Sequence, residues 1–335
     1  MAEILVRSTR NLIVENIYRG SVVMISGDGR INAYCGDSYH ISYMRSAAKP
    51  LMATALVETG AADAFALSAA ELAITCGSHI GAPEHVAAVG GIMQKIGLTE
   101  DAMTLGADYS LDTKLREQRI YDHVPARKFF HNCSGKHAGM LALCLHMGWD
   151  TAEYQQREHP LQQFLRQRVA DFCAIHAEEI IIGVDGCGVP VYAMPLYNMA
   201  LAYYNLCNSD QLAGARREAA ERVLDAMAAY PQMVAGEGHF CTELIRRTEG
   251  RVIGKLGADG IYCAAEREGK WALAIKIEDG NMAVIPAVVI RAFRQMNILS
   301  EDEHQALRHF AVRDINNCRE EMVGRMKAAF HMELV

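Results

Sequence analysis

The sequence has no excess of positive charge, no long apolar run, no internal repeat and no low-complexity linker. A net charge of -7 argues against a cationic nucleic-acid-binding surface. No run approaches the roughly 18 apolar residues that a membrane-spanning helix needs, so we expect no membrane association. With 51% hydrophobic and 22% charged residues, the composition is that of a globular protein. The expected partners are therefore a small molecule and a second copy of the chain.

The N-terminal stretch "MAEILVRSTR" also lacks the uninterrupted apolar segment of a signal peptide. Ten cysteines stand at scattered spacings. In an oxidising compartment such thiols would be a hazard, whereas in reducing cytosol most can be small buried apolar side chains. We therefore predict a cytoplasmic location.

Strand patterns occur near both ends of the chain. β-Branched segments broken at 19–20 and again at 27–29 predict an opening antiparallel hairpin. Strands return from residue 251, on both sides of the polar turn "EREGK", and a final helical region is predicted from 283 towards the C-terminus. The apolar run in "EEIIIGVDGCGVP" predicts a buried strand that ends in a glycine-rich turn.

The middle of the chain shows helical spacing of apolar residues. Five segments there carry this pattern with glycine or polar residues at their ends, namely 46–60, 68–75, 84–96, 135–147 and 160–177. Sheet at both ends around a helical middle predicts an α+β fold, with an antiparallel sheet formed by both chain ends and an inserted helical lobe. We predict one domain, 1–335, with a sheet lobe of about 1–45 and 180–335, a helical lobe of about 46–179, and a cleft between them.

The stretch "RSAAKP" places Ser46 and Lys49 three residues apart, on the same side of a helix. A neutral lysine amine in that position can take the proton of the serine hydroxyl, as acyl transfer requires. The alternative is a serine that caps the helix, followed by a solvated lysine. The pattern alone does not choose between them.

Two further segments extend the serine–lysine pattern. Ser78 lies in the glycine-flanked turn "CGSHIGAPEH", and Lys255 lies on a strand that enters the turn of "IGKLGADG". This order is that of penicillin-binding proteins and serine β-lactamases. The match is incomplete, because Ile80 stands where those enzymes have asparagine and Leu256 stands where they have a hydroxyl residue. A β-lactam or cell-wall substrate is therefore not expected.

The segments "HNCSGKHAGM" and "GVDGCGVP" contain soft metal ligands. Cys133 and Lys136 lie one turn apart, and Cys187 stands between two glycines. Two thiolates and a nitrogen suit zinc, although the spacing is not that of a zinc finger and buried or free thiols are the alternative. Asp185 is either a turn residue or a carboxylate for a substrate ammonium group.

Taken together in this order, these motifs resemble the Rhizobium etli-type L-asparaginases, the asparaginase II family, over nearly the whole chain. The resemblance implies a fold related to serine β-lactamases and glutaminases, a homodimer, and hydrolysis of L-asparagine to L-aspartate and ammonia. It also implies two serine–lysine tandems, Ser46 with Lys49 and Ser78 with Lys255. It further implies a zinc ion that tunes substrate affinity and is not strictly required, held by Cys133, Lys136 and Cys187.

For the reaction we expect Ser46 to attack the amide carbon after Lys49 accepts its proton, with Ser78 and Lys255 relaying a proton to the leaving ammonia. The oxyanion would lie at the N-terminus of the helix that carries Ser46. Asp185 is the candidate for the substrate ammonium group. His137 and Arg45 are candidates for polar contacts and the α-carboxylate, with a surface position as the alternative for Arg45.

Three other functions stay open at this point. One is a different Ser-Lys amidohydrolase, such as a glutaminase or a peptidase. Another is a zinc-thiolate binding or redox-sensing protein without hydrolase activity, in which the serines are caps. The third is a cysteine hydrolase, because Cys133 and His137 are four residues apart.

Overall fold

The main sheet is built from strands at both ends of the chain, in a computed structural model that describes residues 1–208, 212 and 214–335. From one edge to the other its strands are β10 (Val312–Asn316), β11 (Met322–Ala328), β1 (Glu3–Arg10), β2 (Ile13–Ser26), β9 (Trp271–Ile277), β8 (Ile261–Glu266) and β7 (Val252–Gly257). Two shorter strands continue it, β3 (Ile31–Cys35) beside β2 and β12 (Glu333–Leu334) beside β3. The pairings are antiparallel, so the predicted α+β fold with a sheet from both chain ends is confirmed.

The opening hairpin differs from its prediction at one of the two breaks. The chain turns at 27–29 between β2 and β3, as predicted, and Gly29 there has a φ of +76°. The predicted break at 19–20 is wrong, because β2 runs through it without interruption. Gly20 is needed for a close approach, since a Cβ at this position would collide with the carbonyl oxygen of Lys276 in β9.

Helices fill the middle of the chain as predicted. They are α1 (Lys49–Glu58), α2 (Ala61–Ala64), α3 (Ala69–Thr75), α4 (Pro83–Lys95), α5 (Thr113–Tyr121), α6 (Ser134–Met147) and α7 (Pro160–Cys173). Local chemistry explains several ends: Ser68 caps α3 through a capping box, and Gly148 ends α6 with a φ of +68°. α7 ends before the predicted residue 177 because Ala174 takes a left-handed conformation.

A small second sheet carries the turn that the sequence places after residue 184. Its strands are ordered β4 (Ile41–Tyr43), β6 (Pro190–Pro195) and β5 (Ile181–Val184). The predicted strand is present as β5, but its predicted burial is wrong, since Ile181 is 54% and Val184 78% exposed. The adjoining β6 is the buried strand. The turn between them presents Asp185 and Cys187.

The second half of the chain adds further helices and returns to the main sheet. The helices are α8 (Leu196–Cys207), α9 (Ala215–Ala229), α10 (Pro231–Val234), α11 (Phe240–Arg247), α12 (Ile285–Gln295) and α13 (Glu301–Ala311). The predicted helical end of the chain is wrong after α13, where β10, β11 and β12 follow. These strands are mostly exposed, so they show little of the apolar pattern that predicts a strand.

Helices from both halves of the chain pack together around the core. α8 lies on β2, β8 and β9, and α9 packs against α1 and α3. The division into a helical lobe of about 46–179 and a sheet lobe stays a proposal. Helix α9, which packs against α1 and α3, comes from outside the range 46–179. Among the described helices, none combines the length and the apolar character that crossing a bilayer requires.

Candidate active site

Two lysine side chains converge on the hydroxyl of Ser78. The Nζ atom of Lys49 lies 3.0 Å and that of Lys255 lies 2.9 Å from Ser78 Oγ. Both lysines are buried, with exposures of 1% and 0%. Each amine also donates to a carbonyl oxygen, Lys49 to that of Gly77 at 2.6 Å and Lys255 to that of Leu256 at 2.7 Å. The serine hydroxyl is therefore held between two buried amines, at the wall of a cavity.

Burial gives Lys255 the properties of a base. Desolvation, reinforced by the nearby charge of Lys49, lowers the pKa of Lys255 to about 7. At neutral pH a large share of this amine is uncharged and can accept a proton. A perturbed lysine in contact with a serine hydroxyl is the arrangement that general-base catalysis requires.

The fold places these three groups through separate elements. Lys49 is the first residue of α1, Lys255 lies within β7, and Ser78 lies in the loop that follows α3. The Ser78 backbone N–H donates to the carbonyl of Val234 at 2.8 Å. A Cβ at Gly77 would collide with the carbonyl oxygen of Met233, so only glycine allows this approach.

Ser46 lies beside this group and faces the same cavity. It belongs to the 3-10 turn Arg45–Ala48 that precedes α1 and is 8% exposed. Among the described residues its hydroxyl has no hydrogen-bond partner, and the amine of Lys49 contacts Ser78 instead. The capping alternative is wrong, because Ser46 caps no helix and Lys49 is buried rather than solvated.

Arg45 and Asp185 form a charged pair on the cavity wall. Arg45 Nε lies 2.9 Å and Nη2 lies 2.8 Å from Asp185 Oδ1, and Arg45 also pairs with Asp259. The arginine side chain is only 20% exposed, so the surface alternative does not describe it. Its φ of +50° is rare for a residue with a side chain, and such strain often occurs at functional sites.

The predicted zinc residues meet in one buried cluster. Lys136 Nζ donates to Cys187 Sγ at 3.0 Å and lies 3.8 Å from Asp185 Oδ2. Cys187 Sγ also lies 3.7 Å from Asp185 Oδ2. A hydrogen bond from Cys187 holds the pKa of the Cys133 thiol well below its usual range, helped by the charges of Lys49 and Lys136 and opposed by burial.

This cluster fits a zinc ion in its donor chemistry. Two sulfurs and one amine are the soft ligands that zinc accepts. Across the described part of the chain, no group of three or more His, Cys, Asp or Glu side chains converges as a metal site. A metal here would therefore need Lys136 as its third ligand. That amine must lose its proton first, and although burial favours the loss, Cys187, Cys133 and Asp185 raise the pKa of Lys136.

His137 lies in the core rather than on the cavity wall. Its ring is fully buried, with Nδ1 2.6 Å from Tyr154 Oη and with no partner for Nε2 among the described residues. Burial, followed by the charge of Lys136, keeps its pKa well below the usual value. His137 does not line the cavity, and its contact with substrate stays a prediction. A Cys133–His137 dyad also lacks its hydrogen bond, because Nδ1 bonds to Tyr154 and Nε2 has no partner among the described residues.

His79 is a buried residue behind the site that positions the Ser78 loop, and the sequence reading missed it. Its ring is fully buried; Nδ1 accepts from the Gly81 N–H at 3.1 Å, and Nε2 lies 3.0 Å from Ser134 Oγ at the start of α6. The ring also stacks on His85, with centroids 5.1 Å apart. These contacts tie the Ser78 loop to the helix that carries Lys136. The signal available was a histidine directly after the serine in a glycine-flanked turn.

A cavity of about 660 Å³ joins these groups. Its polar lining includes Arg45, Ser46, Ser78, Asp185, Cys187 and Lys255. The remainder is largely apolar and includes Ile80, Leu111, Phe240, Met282, Ile285 and Phe310. Five of these six apolar residues belong to no catalytic motif, so no pattern in the sequence selects them. Ile80 was noted only as a departure from the β-lactamase pattern.

A sequence model of the L-asparaginase II family matches residues 6–328. No curated protein matches the chain by sequence. Among solved structures, a putative beta-lactamase from Bacteroides dorei is 14% identical, with a TM-score of 0.42 over 81% of this chain and 92% of its own. A structure of Mglu in 4.3 M NaCl is 15% identical, with a TM-score of 0.39 over 84% of this chain and 61% of its own. The chain thus spans about three fifths of the Mglu chain.

The family match is the finding that assigns the chain. It covers all but a few residues at each end, including the segments that carry both serines, both lysines and the thiol cluster. The cavity brings these segments together around a serine hydroxyl and a lysine base, which is the chemistry that amide hydrolysis requires. The chain belongs to the L-asparaginase II family.

Proposed function

We propose that the protein hydrolyses L-asparagine to L-aspartate and ammonia. The observation that carries this proposal is the pair of buried lysine amines on Ser78 Oγ, in the same cavity as the Arg45–Asp185 pair. The amines supply proton transfer, and the charged pair supplies contacts for an α-amino acid. Neither feature alone distinguishes an amino-acid amidohydrolase from other proteins.

The charged pair is matched to the two charges of a free amino acid. Arg45 can bind the α-carboxylate through its planar guanidinium, and Asp185 can bind the α-ammonium group. Without substrate the two side chains neutralise each other at 2.8 Å. A zwitterionic substrate replaces that contact by two new ones, so neither buried charge is left unpaired.

We assign the acyl bond to Ser46. Its Oγ lines the cavity without a hydrogen-bond partner, so a lone pair is free to approach the amide carbon. Lys49 lies three residues further along and would accept the proton; catalytic hydrogen bonds often tighten only when substrate is bound. The Ser46 backbone N–H, at the turn before α1, would stabilise the oxyanion.

Ser78 and Lys255 then complete the proton path. A hydroxyl held between two amines can accept a proton from one and donate its own to the other, which connects Lys49 to Lys255. Lys255, with a pKa of about 7, can hold or release that proton near neutral pH. We propose that this relay protonates the departing ammonia and later activates the water that releases aspartate.

Ammonia release from L-asparagine and L-glutamine is the direct test. We expect kcat/KM for asparagine to exceed that for glutamine by about 10-fold or more, because one additional methylene displaces the amide from the serines. Asp185→Asn should raise KM for asparagine by about 100-fold through loss of the ammonium contact. Asp314→Asn, in an exposed ion pair, is the control. Equal or better hydrolysis of glutamine, or release of ammonia from neither, would contradict the assignment.

We also propose a zinc ion at Cys133, Lys136 and Cys187. When bound, zinc would add positive charge beside Asp185 and so tune the binding of the substrate's charged groups. We expect about one zinc per chain in protein purified without chelator, and none in a Cys133→Ser, Cys187→Ser double variant, by elemental analysis. Cys318→Ser, an exposed thiol far along the chain, is the control. Equal zinc in the double variant and the control would reject the site.

A homodimer and a cytoplasmic location belong to the same proposal. The resemblance to the Rhizobium etli-type enzymes supports the dimer. Ten free cysteines, nine of them buried, support a reducing compartment. The rival zinc-thiolate binding or redox-sensing protein predicts metal binding without ammonia release, so the two experiments above separate it from the amidohydrolase.

A further inference from the structure

The cavity is larger than L-asparagine requires. Its volume is about 660 Å³. Asparagine, with about nine non-hydrogen atoms, fills at most roughly 270 Å³ even if each atom is given the ~30 Å³ share of a water molecule. More than half of the cavity therefore remains when the amino acid is bound. The lining of the remaining space indicates what it accommodates.

The lining includes a charged group and an apolar group. On the charged side, Arg45 pairs with Asp185, beside Cys187. Both Asp185 and Cys187 are contacted from behind the lining by Lys136. On the apolar side, the rings of Phe240 and Phe310 meet edge to face with centroids 5.1 Å apart. Each group is thus held together by its own contacts. The lining also includes the polar residues Asp108, His131, Asn132 and His239.

Lys255 lies next to the apolar side. The backbone N–H of Leu256, its neighbour in β7, donates to Cys241 Sγ at 3.2 Å. Cys241 follows Phe240 at the start of α11, so this hydrogen bond brings the aromatic wall against the strand that carries Lys255. The proton relay therefore stands beside the apolar surface.

Two apolar side chains at this cavity are exposed to water. Leu111 is 55% and Met282 is 43% exposed, and both contribute to the cavity lining together with the buried Ile285. Covering such side chains with an apolar group is favourable by the hydrophobic effect. A ligand that carries only polar atoms leaves this surface uncovered.

We propose that the enzyme's substrate class includes side-chain amides of aspartate whose amide nitrogen carries an apolar alkyl or aryl group. This inference rests on the proposed asparaginase reaction at the same site. The α-carboxylate and α-ammonium groups are taken by the charged side, and the acyl carbon must lie at the serine. The amide nitrogen lies on the far side of the acyl carbon from these charged groups, so a substituent on it can extend along the apolar side.

The chemistry is the same as for asparagine and needs no further reactant. The serine Oγ–acyl bond forms and the amide C–N bond breaks. The amine leaves with the proton that the serine lost to the lysine. Water then adds to the acyl carbon, the ester bond breaks, and L-aspartate is released with the serine proton restored. The second product is a primary amine in place of ammonia.

N4-Benzyl-L-asparagine is the probe, with N4-(2-hydroxyethyl)-L-asparagine as its polar counterpart. We expect kcat/KM for benzylamine release by the full-length protein to equal or exceed that for ammonia release from L-asparagine, and the hydroxyethyl compound to react at least about 10-fold more slowly than the benzyl compound. A lower kcat/KM for the benzyl compound than for asparagine overturns the inference and leaves the asparaginase proposal intact. If the benzyl compound reacts and L-asparagine does not, the proposed substrate class is supported and the proposal that asparagine is a substrate is rejected. Reaction of neither rejects both proposals.

Variants at the exposed part of the wall give an independent reading. A Leu111→Ser, Met282→Ser double variant should lower the ratio of kcat/KM for the benzyl compound to that for asparagine by about 10-fold. The matched control is a Leu12→Ser, Met322→Ser double variant, whose residues are 92% and 52% exposed and lie outside the cavity lining. That control should leave the ratio unchanged. An unchanged ratio in the Leu111 and Met282 variant would show that this wall does not bind the substituent.

Discussion

Replacing Ser46 by alanine is expected to lower kcat for asparagine hydrolysis by at least about 10³-fold, because the acyl bond then has no oxygen on which to form. The fold should persist, since the Ser46 hydroxyl makes no hydrogen bond within the described residues. Acid-quenched wild-type enzyme should carry an aspartyl adduct on the peptide that contains Ser46. The same peptide from Ser46→Ala should carry none.

Two comparisons make this result specific. Ser42→Ala lies four residues earlier, in β4, and should keep both the activity and the adduct. Ser78→Ala should lose most of the activity, because Lys49 and Lys255 lose the hydroxyl that links them. The assignment is wrong if the adduct maps to Ser78, or if Ser46→Ala retains more than about a tenth of the wild-type rate.

Lys255→Met is expected to remove activity to a similar extent and to change the pH profile. In the wild type, kcat/KM should rise with pH through about 7, because Lys255 must be uncharged to accept a proton and its pKa is about 7. The residual activity of Lys255→Met should lack this rise. Lys327→Met, on the exposed face of β11, should keep the wild-type profile. A wild-type profile that is flat between pH 6 and 8 would contradict the role of Lys255.

The same substitution should stabilise the protein near neutral pH. Folding lowers the pKa of Lys255 from 10.5 to about 7. Between these values the unfolded chain binds a proton that the folded chain does not, so wild-type stability rises with pH across this window. Below pH 7 the full cost of burying the charge is present, and most of it remains at pH 7. Lys255→Met should therefore have the higher thermal midpoint at pH 7, by a few degrees. This advantage should shrink as the pH approaches 10.

Local patterns account for much of the fold. The helices of the middle segment and the hairpins of β7, β8 and β9 carry periodic apolar residues with glycine or capping residues at their ends. The C-terminal strands could not be read in this way, because they are mostly exposed and depend on pairing with β1 and β3. Gly20 was wrongly predicted to be a turn, again because its role depends on a distant strand. The contact that requires glycine there comes from a strand more than 250 residues away.

The residue types of the candidate site were accessible from motifs, but their partners were not. Spacing along a helix paired Lys49 with Ser46, whereas the folded chain turns that amine towards Ser78. His137 was predicted to make polar contacts with the substrate. Its position on α6 instead directs the ring into the core, against Tyr154. One residue further along a helix turns a side chain by about 100°, so His137 cannot share the direction of Lys136 towards Cys187.

The sequence by itself determined the chemical inventory: two serines, two lysines and a soft pair of thiols, in an order that one family uses. It also determined the α+β class. The order of the motifs and the apolar periodicity of helices and strands both depend only on residues that are neighbours along the chain. Only the tertiary structure decided that both lysines share one hydroxyl, that the pKa of Lys255 falls to about 7, and that an apolar wall adjoins the relay. These properties arise from burial and from contacts between residues up to 177 positions apart. Such contacts exist only once the sheet has closed around the helices.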